Sequence, residues 1–251
     1  MLFRSAPVAV PATIPGVVQK TALAVTFAVA GGIGGAALVK AVPAAMIGIM
    51  LGSMVVTLVT YFAIWRNPAR AAWGAPLYAV AQGASMGALA LVLDAALASR
   101  GISALGGLGL QAFVITLAIT AGMLIAYRAG LIRPTATFVA VVSTLTIGVA
   151  IAGLVAFLLS FFGIHIPGFG VTEAMQGGKG AWIGIGINVL ILVLASMWLV
   201  IDFGAIESAI ATRVGKEYEW YFAFALMVTL VWIYLEALKL AFRLAMAQDR
   251  R

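Results

Sequence analysis

The chain has 251 residues, 64% of them apolar and 9% charged, against about 45–50% apolar and 25% charged in an ordinary soluble domain. A soluble fold of this size has too little interior for that much apolar side chain, and a mean hydropathy of +1.15 excludes disorder and points to a polytopic membrane protein. The absence of cysteine excludes disulfides and thiolate metal sites, and the net charge of +7 includes no basic run interleaved with aromatics, which argues against a nucleic-acid partner.

Residues 1–19, with Pro7, Pro11, Pro15 and the single charge Arg4, read as an irregular N-terminal tail. A membrane-spanning helix needs about 20 mostly apolar residues. At that length the chain divides into seven spans at 21–39, 43–65, 76–97, 108–127, 136–162, 181–206 and 218–245. They form one all-α transmembrane domain over 20–247, followed by a short tail at 248–251. Lys40 with Pro43, residues 66–76 with Asn67 and Pro68, residues 98–107 and residues 128–134 punctuate the spans. The longest break, 163–180, carries His165, Pro167, Glu173, Gln176 and Lys179 and suits a polar loop that partly re-enters the membrane. The first apolar run is too long for a signal-peptide core and ends at Lys40 and Pro43, not at a cleavage site.

Lys and Arg near the span ends set the orientation. Arg4, Lys20, Arg66, Arg70, Arg128, Arg133, Arg213 and Lys216 fall on one side, and Lys40, Arg100 and Lys179 on the other. The N-terminus is therefore expected in the cytoplasm. Seven spans then put the C-terminus on the far side, although Lys239, Arg243, Arg250 and Arg251 make it basic. Either the earlier loops dominate or the last segment does not cross. The pairs Gly31 and Gly35, Gly48 and Gly52, and Gly83 and Gly87 have the four-residue spacing of close helix packing. Tyr61, Trp65, Trp73, Tyr78, Tyr218, Trp220 and Tyr221 fit interfacial anchoring.

The acids within the spans are the informative exceptions. Asp94, near Arg100, reads as an interfacial charge, and Glu207 belongs to a stretch, 203–216, that suits a helical extension outside the lipid. Asp202 and Glu236 each end an apolar run, where a charge costs at least about 2.5–3.5 kcal/mol and faces a cavity or holds a proton. An ion or proton path is one reading. The other makes Asp202 the interfacial end of span six and pairs Glu236 with Lys239. Thr229, Trp232, Glu236, Lys239 and Arg243 share one helical face, Asn188 and Asp202 are close to four turns apart, and Gln82 and Asn188 suit either interhelical hydrogen bonds or ligation.

The stretches WLVIDFGAIESAI and YEWYFAFALMVTLVWIYLEALKLAFRL resemble the last two spans of the Bax inhibitor and YccA-type (TMBIM) integral membrane family, bacterial branch. PLYAVAQGASMGALAL extends the resemblance less sharply over the rest. It implies six helices around a central seventh. It also implies a pH-sensitive calcium leak gated by one acid on each of the last two helices, here Asp202 and Glu236, or alternatively regulation of a membrane-bound AAA protease or stress-response complex. Three departures stand out: Glu236 replaces the usual Asp, Gln82 stands where Glu is frequent, and no arginine clearly matches the membrane arginine of some members. If the last turn centres near Gly215, Asp202 and Glu236 differ in depth by about 12 Å, which makes them successive stations unless the connector is asymmetric. The sequence thus predicts a cation leak in a bacterial inner membrane, with calcium or protons as the regulatory ions and no resident cofactor beyond transient calcium. No metalloprotease HExxH motif and no Ser/His pair suggests an enzyme.

Overall fold

A computed structural model describes residues 10–166, 169 and 180–248. Arg4, Pro7, Pro167, Glu173, Gln176, Lys179 and residues 249–251 lie outside the described residues. The chain forms α1 (Ile14–Ala41), α2 (Ala45–Arg66), a 3-10 turn at Pro68–Arg70, α3 (Ala71–Ala98), α4 (Leu108–Arg128), α5 (Ala136–Ser160), α6 (Gly180–Ala211) and α7 (Tyr218–Gln248). All seven long helices have the length and hydropathy to cross a bilayer. The fold is the all-α, seven-helix membrane bundle that the sequence predicts.

Two helix starts differ from the sequence reading, while the helical extension it gives after residue 203 is present. Helix α1 begins at Ile14, so residues 14–19 are not irregular. Thr13 Oγ1 accepts from Gly16 N at 3.1 Å, and Pro15 sits in the first turn, where a missing N–H costs nothing. Helix α3 begins at Ala71 and contains Pro76, which the sequence reading places at a break. Helix α6 continues unbroken through residues 203–211, carrying Glu207 on the same rod as Asp202.

Helix α7 is central. It packs against α1, α3, α4 and α6, whereas α2 lies outside α3 and α5 packs chiefly on α6. Over their most apolar windows, 56% of α7 is buried against 6% of α5. Two of the three glycine pairs join α1 to α3. A Cβ on Gly31 or Gly35 would strike the carbonyl oxygens of Val80 and Ala84, and one on Gly83 or Gly87 those of Ala28 and Gly32. Backbones this close need glycine. Gly48 and Gly52 have nothing within 4 Å, so the third pair packs against no other helix among the described residues. Tyr61, Trp65 and Trp73 are exposed, but Tyr78 is buried edge-on to Phe224 with centroids 5.1 Å apart, as part of the core and not as an anchor.

The two ends of α7 meet different connectors. At its start, residues 10–13 lie along the α6–α7 turn: Ala12 N donates to Val214 O at 2.8 Å, Lys216 N donates to Val10 O at 2.9 Å, and Arg213 takes a left-handed φ of 56°. At its end, Phe242 and Met246 pack with Leu97 and Leu108 beside the α3–α4 connector. The last helix therefore runs from the α6–α7 turn to the α3–α4 connector and is long and apolar enough to cross a bilayer alongside the other six.

Candidate functional site

The polar face predicted for the last span is buried in the bundle. Thr229, Glu236, Lys239 and Arg243 are each at most 8% exposed, and Trp232 is half-buried. Their spacing of three and four residues keeps them on one face while the rest of α7 supplies apolar contacts. Glu236 Oε1 accepts from Lys239 Nζ at 2.6 Å. Across the helix interface, Asn188 Nδ2 donates to Glu236 Oε2 at 2.7 Å and to the Glu236 carbonyl at 3.1 Å. Asn188 is fully buried, and among the described residues its Oδ1 has no hydrogen-bond partner.

Asp202 occupies a separate place on the same α6–α7 seam. Its Oδ2 accepts from Thr229 Oγ1 at 2.6 Å. Thr229 precedes Glu236 by seven residues, two turns or about 10.5 Å of rise. The residue of α7 that faces Asp202 is thus a hydroxyl, and Glu236 lies two turns deeper with its own partners. No hydrogen bond joins the two acids among the described residues. The turn near Gly215 is compact, so the asymmetric connector needed for an acid pair is not formed. Asn188 and Asp202 do share the α6 face turned toward α7.

The other candidates sit elsewhere. Gln82 Nε2 donates to Thr57 Oγ1 at 2.5 Å, and Ser53 pairs with Ser85 at 2.6 Å, so both belong to an α2–α3 polar seam. Glu207 is exposed and accepts from the Tyr127 hydroxyl, tying α6 to α4. Asp94 Oδ1 accepts from Leu108 N at 2.9 Å, capping the first turn of α4 from the end of α3.

One buried acid escaped the sequence reading. Glu219, 2% exposed, accepts from Thr13 N at 3.0 Å and Thr13 Oγ1 at 3.1 Å and forms an ion pair with Lys20. A Cβ on Gly16 would run into its carboxylate. The available signal was Lys20, an isolated charge at a span end on the same predicted side as the start of span seven.

The family model described as Bax inhibitor 1 like matches residues 4–246. The chain belongs to that family. No curated protein and no solved structure matches it. In this Bax inhibitor 1-like protein the sixth helix carries an acid at Asp202, while the seventh helix places a threonine across from it and a lysine-paired glutamate two turns on. No group of three His, Asp or Glu side chains close enough to hold a metal ion occurs among the described residues. The seam instead offers carboxylate and amide oxygens at two depths.

Proposed function

We propose that this multi-pass Bax inhibitor 1-like membrane protein is a pH-sensitive cation leak, with calcium the expected ion and the α6–α7 seam its path. The observation that carries this reading is the pair of acids at two depths of one interface, each held by a side chain on the facing helix. Asp202 is held by Thr229, and Glu236 by Asn188 and Lys239. Ion conduction needs oxygen ligands in series that bind without trapping. Asp202, the Asn188 carbonyl and Glu236 supply such a series. In the resting arrangement Lys239 occupies the Glu236 carboxylate and acts as a tethered cation. Protonation of an acid on the seam removes a ligand charge and shifts the balance between closed and open forms.

The test is calcium efflux from liposomes holding the purified protein, measured from acid to neutral pH. A pH-dependent flux that flattens in Asp202→Asn and changes in Glu236→Gln is expected. Flux indifferent to pH, or unchanged from the unaltered protein in both variants, overturns the proposal.

A second reading, regulation of a membrane-bound protease or stress-response complex, draws support from α5. That helix packs chiefly on α6, is only 6% buried over its most apolar window, and exposes Val141, Leu145, Ile151 and Leu154 around much of its circumference, which leaves room for a partner helix. Removing residues 1–9 separates the two readings, because a leak keeps its flux whereas a regulator that recruits through its N-terminus loses copurification. The deletion must stop before residue 10, since Ala12 and Thr13 are bound to the α6–α7 turn and Glu219.

A further inference from the structure

On the opposite side of α7 from α6, helices α1 and α4 make no substantial contact, and between them a crevice of about 520 Å³ is floored by α3 and α7. Its floor is low because small residues form it, among them Gly83, Gly87 and Ala90, and its rim carries the exposed Ile33 and Leu110. The crevice therefore opens sideways, where a bundle that crosses a membrane meets lipid.

Length decides the occupant. On α3 the lining extends from Gly83 to Asp94, eleven steps along the helix or about 16 Å at 1.5 Å per residue. A hydrocarbon core of about 30 Å gives each leaflet about 15 Å. The lining thus spans about the depth of one leaflet, from the middle of α3 to the α3–α4 connector at Gly106 and Gly107, the end of the bundle that would meet headgroups. Asp94 is the one charged residue lining it, and Tyr234 is nearby among the lining residues. Asp94 Oδ1 is engaged by Leu108 N, which leaves Oδ2 as an acceptor at headgroup level.

We propose that this crevice is a binding site for one acyl chain of an amine-headed phospholipid, with the Asp94 carboxylate receiving the ammonium. The site is independent of the leak. It does, however, adjoin α7 through Met227, Leu230 and Val231, so an occupying chain bears on the helix that carries Glu236.

The test places the protein in vesicles of equal parts phosphatidylethanolamine and phosphatidylglycerol. Each lipid is added in turn as a probe with the same photoreactive acyl chain, and labelled peptides are mapped by mass spectrometry. The phosphatidylethanolamine probe is expected to label the rims of α1 and α4 several-fold more than the lipid-facing surface of α5. Val29→Trp with Leu117→Trp, both half-exposed at the mouth, should reduce that labelling several-fold, whereas Leu154→Trp on α5 should not. Asp94→Asn keeps an acceptor for Leu108 N and should abolish the preference for the ethanolamine probe. Labelling spread evenly over α5 and the rims, or unchanged by closing the mouth, overturns the site. Equal labelling by both probes in the unaltered protein overturns the headgroup assignment.

Discussion

Glu236 and Lys239 form an ion pair in which both side chains are at most 10% exposed. Removing one partner of such a pair leaves a buried charge uncompensated, at a cost of about 3–5 kcal/mol, while replacing both can be neutral. Glu236→Gln should therefore lower the unfolding temperature in detergent markedly, and adding Lys239→Met should restore most of the loss. The double variant is also the cleaner subject for flux, because it removes the carboxylate without stranding the lysine. If the single and double variants are equally unstable, the pair does not hold the helix. At Asp202 the partner is neutral, so the decisive group is the Thr229 hydroxyl. Thr229→Val should move the midpoint of any pH-dependent flux and Thr229→Ser should restore it; a midpoint the valine variant leaves in place would detach Thr229 from the gate. Composition made these acids visible, since few charges lie within the spans. Their partners were less legible. Lys239 followed from i,i+3 spacing, but the pairing of Asp202 with Thr229 depends on how far the α6–α7 turn shifts one helix against the other, and the seam's register is a tertiary quantity.

At the scale of helices, hydropathy located all seven spans, because lipid imposes length and apolarity directly on each segment. Starts were harder to read. Pro15 and Pro76 look like breaks, yet Pro15 is tolerated in the first turn behind the Thr13 cap, and Pro76 sits inside α3. The glycine spacing was likewise ambiguous, since four-residue pairs recur by chance in a chain with 28 glycines. Contact separates them. Gly83→Val would push a side chain into the Ala28 carbonyl and should destabilise the bundle by about 1–3 kcal/mol or more, since backbone cannot step aside as a flexible side chain can. Gly48→Ala and Gly52→Ala meet nothing within 4 Å and should stay within about 1 kcal/mol of the parent. Thermal unfolding of the three variants in one detergent checks the contrast, and comparable losses at Gly48 and Gly83 would contradict the assigned α1–α3 contact.

For the whole molecule, the conflict between seven spans and a basic C-terminal region eases once Lys239 and Arg243 are seen to be buried in the bundle. Charges held inside the protein do not act as loop charges in setting orientation, so they leave the count near the span ends unchanged. That count predicts a cytoplasmic α6–α7 turn, with residues 10–13 laid along it. The end of α7 then lies across the membrane beside the α3–α4 connector, where Arg100 Nη1 approaches Met246 Sδ at 3.6 Å. The chain has no cysteine, so single substitutions report sidedness without background. Thr212→Cys should react with an impermeant maleimide from the cytoplasmic face, and Ser99→Cys and Ala247→Cys together from the opposite face. Reaction of all three from one face would contradict a last helix that spans the bilayer. A reversed but still divided pattern would keep the fold and overturn the orientation, which would show that the basic residues of α7 outweigh the loops even from inside the bundle.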